Sequence, residues 1–249
     1  MVDVHDHLRE FWDRDAETYD RAASHSVSDP LEEAAWRAAL RDALPEPGAR
    51  ILDVGAGTGS LSLLAAELGY HVTALDLSPG MLGKARAKAA DRRLDIEFVE
   101  GPATEPPPGP FDAVIERHLV WTTPDPVAAI TAWRGVVVPG GRLVMFEGVW
   151  GATAPVDRVK AALADLVRTA MGTPPDHHAP YSPEILAQLP LGAMPSPAPL
   201  IEAVRASGWR ALRIKRLRDV EWAGRLREPW PLGWLESMPR YALAADAPA

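Results

Sequence analysis

The hydrophobic and polar positions of this chain fall into two alternating rhythms. Short, nearly unbroken apolar runs at 51–54, 70–76, 95–100, 111–116 and 142–147 have the length and β-branched content of buried strands. Between them lie segments with apolar residues three and four apart, at 60–68, 78–91 and 125–138, the period of a helix packed on one face. Start and stop signals agree with that division. Asp29-Pro30-Leu31-Glu32 supplies an N-cap, a proline at the first helical position and a capping-box acid for a helix to about Leu44. Ser78-Pro79 and Asp125-Pro126 open two more helices, and Gly69 suits the end of the helix that begins at Ser60. Ahead of these, Leu8, Phe11, Trp12, Ala16 and Tyr19 recur at helical spacings.

Strands alternating with helices predict an α/β fold with a Rossmann-like, doubly wound sheet. After Trp150 the rhythm breaks. A helix is expected over 155–171, followed by a proline-rich stretch to Pro199, a helix over 199–207, a strand over 209–220 and a short strand over 240–244. In the segment 205–218, Arg210, Arg213, Lys215, Arg216 and Arg218 alternate with Leu212 and Ile214. That reads as a half-buried strand near a sheet edge whose outward cations discourage pairing, or as an anion-binding face.

One junction carries more information than the rest. Asp53-Val54-Gly55-Ala56-Gly57-Thr58-Gly59 places three alternate glycines between a strand and a helix, where bare backbone can approach a ligand. The next strand ends at Asp76, about 20 residues beyond the first glycine, as a ribose-binding carboxylate requires. The spacing is G-x-G-x-G rather than G-x-G-x-x-G, with the acid Asp53 at its mouth. A pyrophosphate is disfavoured there, and a cationic amino or sulfonium group is favoured.

These two motifs resemble the cofactor site of class I S-adenosylmethionine-dependent methyltransferases of the small-molecule, type 11-like group. The resemblance covers residues 10–148, and Pro139-Gly140-Gly141-Arg142-Leu143 matches the turn before the family's fifth strand. It implies a seven-stranded sheet, parallel with an antiparallel last strand, plus a helical cover. The expected layout is one domain, 1–249: an N-terminal helical lid (1–47), a cofactor-binding core (48–148), a substrate cover (149–200) and closing strands (201–249). The cofactor implied is S-adenosyl-L-methionine, with Gly55, Gly57 and Gly59 beside its methionine part and Asp76 on its ribose. Leu77 and Met81 would flank the adenine, although Met81 serves equally as helix core. Where the family often has an acid after the third strand, this chain has Glu100-Gly101-Pro102-Ala103, which leaves adenine recognition to backbone at Ala103 or to Glu105.

Further site candidates follow from position. Tyr19 suits the methionine carboxylate or an amphipathic core, and Trp12 shares its face. Glu116-Arg117-His118 stands where the fourth strand reaches the reaction centre. His118 is the leading candidate for a general base, because an imidazole titrates near neutrality, and a structural histidine is the alternative. Arg117 would hold a carboxylate or pair with Glu116. Trp121, Trp150 and Tyr181 are candidate walls of the acceptor pocket, and His177 or His178 a substrate-facing group. Those two histidines are adjacent, so they lack the spacing of a helical metal pair, and no metal is expected.

Composition narrows the partners. The chain has no cysteine, which excludes disulfides and thiolate zinc sites. Its formal net charge of −8 opposes nucleic-acid binding, which neutralises phosphates with Lys and Arg. No signal-like or 18-residue apolar run is present, so a cytoplasmic enzyme without membrane attachment is expected. A homodimer is compatible with the sequence. The expected activity is methyl transfer to N or O of a small molecule, expected to be a specialised metabolite, with nitrogen slightly favoured. A macromolecular methyltransferase and a non-catalytic cofactor-binding protein of the same fold are the alternatives.

Overall fold

The computed structural model describes residues 4–21, 25–148, 155–172, 181–192, 194 and 196–249. Helices α1 (Val4–Asp15) and α2 (Pro30–Ala43) precede the first strand. Then come β1 (Arg50–Val54), α3 (Ser60–Glu67), β2 (His71–Asp76), α4 (Pro79–Arg92), β3 (Ile96–Glu100), β4 (Phe111–Arg117), α5 (Pro126–Gly135) and β5 (Val137–Gly148). The remainder forms α6 (Pro155–Met171), α7 (Pro183–Leu186), α8 (Ala198–Ala206), β6 (Arg210–Arg216), α9 (Arg218–Arg227), α10 (Leu232–Leu235) and β7 (Arg240–Asp246).

The seven strands form one sheet in the order β3-β2-β1-β4-β5-β7-β6. Only β7 runs against its neighbours, pairing antiparallel with β5 on one side and β6 on the other. The order reverses between β1 and β4, so the carboxyl ends of those strands open the crevice where doubly wound sheets bind ligands.

The central strands are buried on both faces, which explains their continuous apolar runs. Successive residues alternate between two cores. Ile51, Ala113, Ile115, Val144 and Phe146 pack with Trp36, Leu40 and Leu64 of α2 and α3. Leu52, Val54, Val114, Leu143 and Met145 pack with Ile130 and Trp133 of α5 and with Leu200 and Val204 of α8. Local chemistry sets the helix starts. Asp29 accepts from Leu31 N and Glu32 N, Ser78 from Met81 N, and Asp125 from Ala128 N. Gly69, at φ 89, follows the C-cap of α3.

Three expectations need correction. Helix α5 stops at Gly135, and Val137 already belongs to β5, so the proline–glycine turn lies within the strand. The strand expected over 209–220 ends at Arg216, and α9 begins at Arg218 with Val220 and Ala223 buried. Strand β6 is the sheet edge, but it is exposed rather than half-buried, and its register slips between Arg210 and Arg213, with Ala211 at φ 49. Its cations face acids: Arg213 pairs with Asp246, Lys215 with Asp42 and Arg216 with Glu221, which disfavours the anion-binding alternative.

Helix α6 spans the range expected of the cover but leans on α10, with Arg168 paired to Glu236. Among the described residues of 149–200, those nearest the site are Tyr181, Ile185 and Leu189, packed behind Leu8 of α1. Trp222, Trp230 and Trp234 are exposed and stand apart from the crevice. No described helix is long and apolar enough to cross a membrane.

Trp133 ties the fold to the crevice. It is fully buried, and its Nε1 donates to Ala103 O at 2.7 Å, fixing the loop after β3. Trp133→Phe removes that donor and leaves a buried carbonyl, so stability should fall by ~1–3 kcal/mol. Urea unfolding checks this, and an unchanged midpoint contradicts it.

Candidate functional site

The crevice holds about 810 Å³ of space between atoms, part of it open solvent. Three local folds build it. The first is the glycine turn: Gly55, Gly57 and Gly59 all have positive φ, at 67, 56 and 86. Ala56 N donates to Leu75 O, and Gly57 N donates to Asp76 Oδ2 at 2.7 Å. The second is the end of β2, where Asp76 Oδ1 accepts from Ser78 N at 2.9 Å. Burial raises the Asp76 carboxyl to about 6, against these backbone hydrogen bonds and with the charge of Asp13 adding to the rise. The third is the corner after β4. Arg117 and His118 face the crevice, and His118 takes φ 60.

Of the residues expected at a cofactor, Tyr19, Gly55, Gly57, Asp76, Leu77, Met81, Ala103 and Arg117 line the crevice, together with Trp12 and His118. The Ala103 carbonyl is occupied by Trp133, which leaves its N–H as the backbone group available there. Burial pushes the Tyr19 hydroxyl up to about 12, and its ring stacks on His25 at 4.2 Å. Arg117 donates Nη2 to His25 O at 2.6 Å, while its buried Nη1 has no hydrogen-bond partner among the described residues.

Three expected cofactor residues lie one layer away instead. Asp53 is buried on the α3 side of β1, where Ser62 Oγ donates to it at 2.5 Å, and burial raises it to about 7. Strand alternation puts it on the Ile51 face, beneath the turn rather than at its mouth. Gly59 packs against α4, where a Cβ would stand 3.0 Å from Ala85 Cβ. Glu116 is fully buried and accepts from Leu119 N at 3.0 Å. Burial and the neighbouring Glu147 hold its carboxyl well above the ordinary range.

His118 does not match its expected role as a base. Arg240 Nη1 lies 3.0 Å from His118 Nε2, and a guanidinium only donates, so Nε2 must accept. The lone pair that a base needs is therefore engaged. Burial, then Arg240 and Arg117, hold the imidazole well below its ordinary pKa.

Among the expected acceptor residues, Trp12 lines the crevice, but Trp121 and Tyr181 sit behind it, their rings 5.8 Å apart. Trp150, His177 and His178 lie outside the described residues. His5, Leu8, Leu75, Gly101, Pro102, Thr104, Leu119, Thr122, Thr123 and Pro124 also line the crevice and were not anticipated. The helical period of α1 could have flagged Leu8 and Trp12 together; the others carry no local signal. No group of three or more His, Cys, Asp or Glu side chains suited to a metal occurs among the described residues.

A family model of the methyltransferase domain matches residues 52–145, the span from β1 to β5 that carries the turn and Asp76. The ubiquinone biosynthesis O-methyltransferase of Xanthomonas campestris pv. campestris is 32% identical over 224 residues, covering 88% of this chain and 80% of that protein. The chain belongs to the class I S-adenosylmethionine-dependent methyltransferases. Solved structures agree on the fold of this methyltransferase. A phosphoethanolamine N-methyltransferase of Haemonchus contortus with S-adenosylhomocysteine has TM-score 0.64 at 16% identity, over 100% of this chain and 61% of that one. The [4+2]-cyclase SpnF has TM-score 0.67 at 18% identity, over 98% and 97%.

The methyltransferase's crevice fits its cofactor on two observations. A Cβ on Gly57 would meet no protein atom within 4 Å, so the space before the turn is open to a ligand. Arg117 Nη1 is a buried cationic donor with hydrogen-bonding capacity to spare. Two outcomes test the geometry. A Cβ on Gly55 would stand 2.7 Å from Leu119 Cδ1 at an unfavourable φ, so Gly55→Ala should displace Leu119 and weaken S-adenosylhomocysteine binding at least tenfold by calorimetry. Unchanged affinity in a folded variant removes Gly55 from the site. Asp76, ionised above about 6, accepts hydroxyls most strongly as the carboxylate, since protonation turns one of its two oxygens into a donor. Affinity should be flat at higher pH and decline as pH falls through that value, and the decline should vanish in Asp76→Asn.

Proposed function

We propose that this methyltransferase methylates an oxygen, or less readily a nitrogen, of a small apolar molecule that is a specialised metabolite. The observation that carries the reading is the lining of the crevice, where the polar Asp76 and Arg117 are accompanied by an apolar wall of Leu8, Trp12, Leu119 and Pro124. Such a wall suits a flat or aliphatic body better than a nucleic-acid backbone or an extended peptide. The Xanthomonas relative is an O-methyltransferase, which supports oxygen over the nitrogen favoured by charge balance alone.

Within this reading Asp76 receives the ribose hydroxyls, and Gly55 and Gly57 present bare backbone to the methionine part. Arg117 holds the carboxylate, with Tyr19 beside it. Leu77 and Met81 flank the adenine, and the Ala103 N–H meets its edge. S-adenosylmethionine, when bound, supplies a methyl group already activated by its sulfonium. The chain's own task is to align the acceptor and exclude water, and alignment alone is worth ~7–11 kcal/mol. No proton is assigned to His118 Nε2, because Arg240 occupies it.

The test is to mix purified protein and S-adenosylmethionine with catechols, phenols and aromatic amines, and to follow S-adenosylhomocysteine release. A phenolic acceptor should be methylated. Asp76→Ala should weaken cofactor binding at least tenfold, because hydrogen bonds to a charged acceptor contribute ~1.5–3 kcal/mol each. Methylation confined to protein or RNA would overturn the small-molecule reading.

A further inference from the structure

His118 is built into the site without being placed to accept a proton, and its surroundings indicate what it does instead. A non-glycine residue at φ 60 is strained and persists only where neighbours over-determine it. Four contacts do so here. His118 N donates to Phe146 O at 3.3 Å, Glu116 Oε2 accepts from Leu119 N at 3.0 Å, and Arg240 Nη1 donates to His118 Nε2 at 3.0 Å. On the other side of the ring, Nδ1 lies 4.0 Å from Glu147 Oε2. With Nε2 obliged to accept, the neutral ring carries its proton on Nδ1, toward that carboxylate.

Arg240 is itself held. It opens β7, its N–H donates to Glu221 Oε1 at 3.0 Å, and its carbonyl accepts from Leu217 N at 2.8 Å. The corner it reaches touches the glycine turn, since Leu119 fills the space that a side chain on Gly55 would need. A shift of the corner therefore moves the wall of the cofactor crevice.

We propose that Arg240 is a positioning residue of the methyl-transfer site, latching the His118 imidazole as its Nδ1–H tautomer so that the left-handed corner keeps Leu119 and Arg117 in place beside the glycine turn. This rests on the methyltransferase reading only for its affinity readout. The latch reverses the order of effects that a catalytic base would give. Arg240→Met leaves the imidazole intact but unlatched. His118→Gln removes the imidazole yet keeps a carbonyl oxygen that can accept from Arg240.

The experiment combines S-adenosylhomocysteine calorimetry with ¹⁵N NMR of the histidine rings. In the wild type, Nε2 of His118 should have the chemical shift of an unprotonated nitrogen and Nδ1 that of a protonated one. Arg240→Met should lose at least tenfold in S-adenosylhomocysteine affinity, His118→Gln should lose less, and Arg240→Lys should recover part of the loss. A wild-type spectrum with the proton on Nε2 overturns the proposal, whether or not Arg240→Met folds. So does a folded Arg240→Met that binds S-adenosylhomocysteine as the wild type does. A wild type that binds none would count against the cofactor reading, while the tautomer measurement still decides the latch.

Discussion

The carboxylate of Asp76 is bonded to backbone on two sides, to Gly57 N and to Ser78 N. Those two bonds join the turn after β1, the end of β2 and the first turn of α4. They add to the bond from Ala56 N to Leu75 O, which also ties the turn to β2. The acid is stitched in before any ligand arrives, so the turn's conformation is determined by the protein alone. That preorganisation lowers the ordering cost of binding. It also keeps the side chain buried, which is why its proton is held more tightly than an exposed aspartate's.

What was legible in the sequence was local. The strand–turn–helix around Gly55, the acid at the end of the next strand and the capped starts of α2, α4 and α5 each depend on residues within a few positions of one another. The misplacements have a common cause. Asp53, Gly59 and Glu116 stand in or beside the motifs, which points to the ligand, yet strand alternation and helix packing turn them inward. For Asp53 the alternation was available, because Ile51 and Asp53 share a face of β1. The pairings that no pattern announces are remote: Trp133 with Ala103, 30 residues apart, and Arg240 with His118, 122 apart.

The interior behind the crevice is unusually charged. Glu116, Glu147 and Glu221 are all buried, the last with Arg216 against it. Glu32 meets Arg227, whose guanidinium also holds Ser26 O. Glu32 thus spends its carboxylate on α9 rather than on the capping box that its sequence position suggested. Buried ion pairs contribute little net stability but tolerate few alternative arrangements. Here they join α2, α9 and the last strand, which carries Arg240 to the corner at His118.

The slip in β6 has a consequence for the protein's behaviour in bulk. Edge strands invite growth by strand addition, and many proteins deter it with like charges. In this chain the edge cations Arg213, Lys215 and Arg216 are paired with Asp246, Asp42 and Glu221, which reduces the repulsion that projects into solvent. The obstacle is the kink at Ala211, which breaks the straight row of donors and acceptors that an incoming strand would need. Charge repulsion fades beyond ~10 Å at 0.1 M ionic strength, but a kink does not. Resistance to fibre-like association is therefore written into the backbone and persists in concentrated salt.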